Sequence, residues 1–306
     1  MTATLRAPAP PEGAKHIVFE HRGLQFPALM RGDGEPVVLL HGFPDCHLNW
    51  EGWVTALADA GFCAVAPALR GYAPDCLDAD GDYSLAAAVD DLLALVAQLG
   101  GRAHLVGHDW GAVVAQLAAA AAPEAVQSLT SLAIPPLRRL PQAALKVPRQ
   151  LRASAYMGLF QLPQLPEWLL ARDQQAAVPW LWRRWSPDWE PGAALERAQH
   201  ALAAPGVLSA ALSWYRHLPR VWLASHRQAR RWLARPLAVP TLLLVGRKDG
   251  CMLPELLPHA VQGRDFPAGV ELETVAGAGH FLHLERPERC LPVVIGHLRR
   301  HGSGGL

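Results

Sequence analysis

The chain has 306 residues, 51% of them apolar and 18% charged, with a formal net charge of +1. So much apolar surface can offset ordering entropy, which excludes a largely disordered chain, and the near-neutral balance argues against a dedicated nucleic-acid binder. The length fits one large α/β core with an insertion, or two small domains. The first residues, MTATLRAPAPPEGAKH, lack the apolar stretch of a signal peptide. No apolar run reaches the ~18 residues of a membrane span. The five cysteines are widely spaced with no CxxC pair, the pattern of reduced thiols. A cytoplasmic protein with no integral membrane association is expected.

In chain order, residues 1–15 are Pro- and Ala-rich and read as an N-terminal arm. Strand signals follow at Ile17–Glu20 and Leu24–Met30, with Gly23 in the turn between them. Val37–Leu40, Cys63–Ala66, Ala103–Val106, Ser128–Ile134 and Thr241–Val245 are short continuous apolar runs, the pattern of strands buried on both faces. Helical periods lie between them at Trp50–Ala60, Leu85–Leu99 and Ala112–Ala122. The alternation predicts a mostly parallel sheet flanked by helices. It breaks at Pro135-Pro136 and resumes at Pro240.

We therefore expect a core over 16–135 and 237–300, an inserted helical cap over 136–236, and a flexible tail over 301–306. Composition marks the same insertion. Residues 137–235 carry 14 Arg and one Lys against five acids, a net +10, and hold eight of the eleven Trp. Such a stretch can attract acidic substrates or an anionic surface, and the expectation is that arginine stems cover apolar helix faces with their heads in water.

The strand Ala103–Val106 runs into Gly107-His108-Asp109-Trp110-Gly111 and then a helix. This is the strand–turn–helix of a nucleophile elbow, with Asp where hydrolases usually carry Ser. Small residues must flank so tight a turn, and Gly107 and Gly111 supply them. The choice of Asp has chemical consequences. Attack by a carboxylate on an ester would give a mixed anhydride. Attack on a saturated carbon bearing a leaving group gives an alkyl ester that water can cleave. A carboxylate with a pKa of about 3.9 needs no base for the first step. Asp109 thus points to epoxides or carbon–halogen bonds.

Hydrolysis of that ester needs a base and a group to orient it. Asp249 follows the strand Thr241–Val245, and His280 lies in the glycine-rich loop Gly277-Ala278-Gly279-His280. The chain order nucleophile, acid, His is that of the elbow fold. The loop after Val37–Leu40 reads His41-Gly42-Phe43-Pro44-Asp45. Its Phe43 N–H, with the Trp110 N–H, is the expected oxyanion hole. The spacings around His41, Cys46-His47 and His280/His283 match no usual zinc set, so neither metal nor cofactor is expected.

HGFPD (41–45), RGYAP (70–74), GHDWG (107–111), the DG at 249–250 and GAGHF (277–281) stand in order. Together they resemble the α/β-hydrolase superfamily and, within it, the soluble epoxide hydrolases, over roughly residues 17–300. The resemblance implies two cap tyrosines that bind and protonate the epoxide oxygen. Tyr215 in SWYR (213–216) and Tyr156, four residues before Phe160-Gln161, match those positions. A phenol with a pKa of about 10 stays protonated at neutral pH and can donate to an alkoxide. Phe43, Trp110 and Trp214 are expected to contact a bulky, hydrophobic small-molecule epoxide, in a monomer or homodimer. Ser213 and Ala68 depart from the family pattern, and neither touches the expected chemistry.

Two other readings stay open. A haloalkane dehalogenase would use the same Asp109, but Phe43 lacks the side-chain donor that a leaving halide needs. A non-catalytic binding protein on a hydrolase scaffold would not require Asp109, Asp249 and His280 together.

Overall fold

The computed structural model describes residues 14–302. The arm expected over 1–15 lies outside the described residues except for its end, and Lys15 already belongs to the first strand. Of the expected tail, 303–306 also lie outside them.

Eight strands form one sheet: β1 (Lys15–His21), β2 (Leu24–Arg31), β3 (Glu35–Leu40), β4 (Phe62–Pro67), β5 (Ala103–His108), β6 (Val126–Leu132), β7 (Thr241–Gly246) and β8 (Val270–Val275). Their order is β1-β2-β4-β3-β5-β6-β7-β8. β1 and β2 pair antiparallel, as do β2 and β4, and all later pairings are parallel. Two expectations are corrected. The sixth strand ends at Leu132 rather than Ile134, because Ala133 turns into left-handed backbone at φ 67°. The strand β8 was missed because it is an exposed edge reading VELETV, with no continuous apolar run.

The period of two along each strand feeds two cores. Val37, Leu39, Ala64, Ala66 and Leu244 face Trp53, Val54 and Leu57 of α1 (Glu51–Asp59) and Val294 and Leu298 of α14 (Pro287–Arg300). Val38, Leu40, Val65, Leu105 and Leu243 face the other way. They meet Val89, Leu92 and Val96 of α2 (Leu85–Gln98) and Val114 and Leu117 of α3 (Trp110–Ala121).

Eight short helices separate β6 from β7. They are α4 (Leu140–Lys146), α5 (Pro148–Ala153), α6 (Tyr156–Leu159), α7 (Leu165–Gln175), α8 (Ala177–Trp185), α9 (Ala193–Ala203), α10 (Val207–His217) and α11 (Ala224–Leu233). None exceeds 11 residues, since prolines recur throughout this stretch. α12 (Leu257–Ala260) and α13 (Leu282–Glu285) follow β7 and β8.

The sheet order reverses where β3 lies beside β5, with Leu40 opposite Gly107. Loops leaving the two strands diverge at such a switch point and open a crevice at the carboxyl edge. The residues immediately beyond are His41–Asp45 and Asp109.

Candidate active site

Asp109 sits on the sharp turn between β5 and α3 with φ 50° and ψ −119°. The turn survives because its neighbours lack side chains. A Cβ on Gly107 would lie 2.4 Å from the Gly111 carbonyl oxygen, and one on Gly111 would lie 2.2 Å from that of Leu40. The carboxylate therefore stands at the N-terminal end of α3, where partial positive charge favours an anion.

The Phe43 backbone N–H donates to Asp109 Oδ1 at 2.8 Å. Phe43 precedes Pro44 through a cis peptide bond. Trp110 opens α3, so its N–H is one of the helix's unpaired leading donors beside the same carboxylate. Asp109 Oδ2 lies 3.6 Å from His280 Nε2. On the other side of the ring, His280 Nδ1 is 2.9 Å from Asp249 Oδ2. An ionised carboxylate only accepts, so this contact assigns the Nδ1 proton and aims Nε2 at Asp109. Asp249 is in turn fixed by the N–H groups of Cys251 (2.7 Å) and Met252 (2.8 Å), both donating to Oδ1.

All three groups are buried. Burial alone would disfavour the His280 cation, but Asp249 and Asp109 outweigh it and raise the imidazole to about 10. Burial pushes Asp109 up, yet the close contact and charge interaction with His280 win and hold it below the usual carboxylate value. The resting pair is thus carboxylate and imidazolium.

Behind this triad, Asp45, His108 and His283 bring donor atoms within 4.8 Å of one another. Burial raises Asp45 to about 6 and lowers His283 to about 3, and it lowers His108 as well, so at neutral pH a mostly ionised carboxylate stands between neutral imidazoles. His108 Nε2 meets the His280 carbonyl at 3.0 Å and thereby steadies the His280 backbone.

Asp109 opens onto a cavity of about 370 Å³. Trp110, Val113, Leu117, Ile134, Leu140 and Met157 make it apolar, and Tyr156 and Tyr215 line it as well. The rings of the two tyrosines are 6.0 Å apart. Tyr215 meets the Trp110 ring edge-on at 4.9 Å, and Tyr156 OH is 3.6 Å from Cys251 Sγ. Burial lifts both phenols well above 10, so both remain protonated.

Two expected substrate contacts are corrected. Trp214 does not line the cavity. It neighbours Tyr215 on α10, where adjacent side chains diverge by about 100°, and its indole N–H instead donates to the Arg70 carbonyl at 3.0 Å. The Phe43 side chain is likewise outside the lining, buried edge-on against Phe160 and Tyr215. Only its backbone reaches Asp109.

Sequence reasoning missed Cys251 and Trp185. Cys251 lines the cavity beside Tyr156. The Trp185 carbonyl accepts from both Gly250 N–H and His280 N–H, each at 3.1 Å. A backbone carbonyl leaves no trace in residue type, and Trp185 is one of eight tryptophans in the insertion. The glycines that admit this approach, Gly250 and Gly279, were the available signal.

Comparisons with known proteins place the fold in a family. The family model of the alpha/beta hydrolase fold matches residues 35–287. The AB hydrolase superfamily protein YfhM of Bacillus subtilis is 30% identical over 282 residues, covering 90% of this chain and 94% of that protein. Epoxide hydrolase 3 of Mus musculus is 30% identical over 293 residues, covering 93% of this chain and 75% of that protein. The crystal structure of epoxide hydrolase VrEH1 from Vigna radiata superposes with a TM-score of 0.81 at 25% identity, covering 95% of this chain and all of that one. The chain belongs to the α/β-hydrolase superfamily and, within it, to the epoxide hydrolase family.

Proposed function

We propose that this protein converts an apolar epoxide to a vicinal diol through a covalent ester on Asp109. One observation carries the reading: two buried, protonated phenols, Tyr156 and Tyr215, line the same apolar cavity as a carboxylate held ionised.

Asp109 Oδ1 is engaged by Phe43 N–H, which leaves Oδ2 as the attacking atom. Oδ2 forms a bond to an epoxide carbon, and the bond from that carbon to the ring oxygen breaks. The departing oxygen takes a proton from Tyr156 or Tyr215, which matters because a free alkoxide is far more basic than a phenol. Asp109 is now a neutral ester. Its charge no longer holds the proton on His280, so Nε2 gives that proton up through solvent while the phenolate left on the tyrosine takes one back and becomes a phenol again. With Nδ1–H kept on Asp249, the freed Nε2 can take a proton from water. The resulting hydroxide adds to Asp109 Cγ. The oxyanion forms on Oδ1, opposite the Phe43 and Trp110 N–H groups. On collapse His280 Nε2–H protonates Oδ2 of the departing diol, the water oxygen stays in Asp109, and the proton left on the Asp109 carboxyl passes to His280 to restore the carboxylate and imidazolium.

Single turnover in heavy-oxygen water, with enzyme in excess, tests the route. Label is expected in the Asp109 peptide and absent from the diol. Label entering the diol directly would overturn it.

A dehalogenase reading is favoured by one feature: the buried Trp110 indole N–H lacks a formed hydrogen bond and could receive a halide. Paired phenols serve no purpose there. Incubation with a styrene-type epoxide and with a haloalkane separates the two, diol being expected and halide not.

A further inference from the structure

The positive charge of the insertion is concentrated in the two segments that contribute most of its lining to the cavity. Residues 137–166 and 218–235 together hold ten Lys and Arg and no acid, whereas 167–217 hold five Arg and five acids. Both basic segments reach the cavity. Leu140, Ala144 and Ser154 of the first and Leu218 and Leu233 of the second line the same cavity. Within a few residues of these, the same segments turn large apolar side chains outward. Leu145 is 75% exposed, Leu151 57%, Val221 55% and Trp222 69%.

Ion pairing consumes only part of the charge. Arg138 and Arg139 bind Asp265, and Arg149 binds Glu255. Among the described residues, Lys146, Arg152, Arg227, Arg230 and Arg231 have no carboxylate partner. Arg227 donates to the Trp222 carbonyl at 2.6 Å, so the cation is held against the main chain of the residue that carries the exposed indole. Cations with outward Trp and Leu around an apolar cavity match the chemistry of a bilayer surface: headgroup phosphates for the guanidinium groups, the acyl boundary for the indole.

We propose that the cavity mouth docks on an anionic phospholipid surface, so that an apolar ligand passes from the lipid into the cavity without crossing water. The docking concerns where the site draws its ligand from. It is measured without turnover, so its failure and that of the proposed chemistry are distinguishable.

The test is co-sedimentation of the full chain with phosphatidylcholine vesicles, with or without about 30% phosphatidylglycerol. Binding to the anionic vesicles alone is expected, weakening steeply between about 50 mM and about 500 mM salt. Each cation near such a surface is worth about fivefold in partitioning, so R227E/R230E/R231E should lose at least about tenfold. W222A should lose binding severalfold at an unchanged melting temperature, which keeps the test decisive if the triple variant is unstable. R183E/R184E, in the charge-balanced segment, should bind as the parent does. Equal binding to neutral vesicles, or an equal loss in R183E/R184E, would overturn the proposal. So would self-association that W222A abolishes in a chain that ignores vesicles, since the patch would then belong to a second copy.

Discussion

The sheet and the helices above it position their reacting groups by different means. In the sheet, position is a property of the backbone. Asp109 is placed by a turn whose flanking glycines admit no side chain, and the Phe43 N–H by a loop leaving the adjacent strand. In the cap, position is a property of side-chain packing. Tyr215 is held by the rings of Phe43, Trp110 and Phe160, and Tyr156 by those of Phe160 and Trp185. A bond-forming atom tolerates little displacement, whereas a proton donor needs only hydrogen-bond reach. On the proposed route the rigid half carries the covalent step and the repackable half carries the proton.

If that division is right, substitutions in the two halves should differ in kind. Asp109→Ala should cost at least about 10⁴-fold in turnover with no covalent species formed. His280→Gln should cost a similar factor yet accumulate the ester, seen as the substrate's mass added to the Asp109 peptide. Tyr156→Phe and Tyr215→Phe should each slow ring opening by about 10²-fold, measured as the pre-steady-state rate of ester formation, and leave ester hydrolysis nearly unchanged. Equal slowing of both steps would erase the contrast.

A subtler separation comes from pH. His280 is raised to about 10 in the folded chain, against about 6.5 when unfolded. Its imidazolium therefore contributes stability that is complete below about pH 6.5 and is lost as pH rises through about 10. The melting temperature should fall across that interval, and the fall should be shallower in His280→Gln. The smallest effect belongs to Trp214→Phe. Losing the bond to the Arg70 carbonyl should cost about 1 kcal/mol of stability in denaturant melts, with kcat/KM almost unaltered.

The contrast also governs what could be read from residue order. The apolar runs of β3 to β7 and the motifs around Asp109, Asp249 and His280 were legible because buried parallel strands and tight turns restrict residue type. The edge strand β8 escaped because alternating Val and Glu carry half the signal. The cap tyrosines were reached only through resemblance to a family, since nothing local separates Tyr156 from an ordinary helix residue. Trp214 was misassigned for the same reason: a motif gives proximity along the chain, and a helix sends neighbours in different directions.

The Trp185 carbonyl, shared by Gly250 and His280, has a wider consequence. A Cβ on Gly250 would come within 2.3 Å of the Arg184 carbonyl oxygen, and one on Gly279 within 2.6 Å of Ser186 Cα. Main chain is thus welded to main chain where α8 crosses the loops bearing the acid and the base. A cap riveted at that point cannot swing away from the triad as a hinged flap. Admission of a bulky molecule is then a matter of local parting among the helices that line the cavity rather than of the whole insertion lifting.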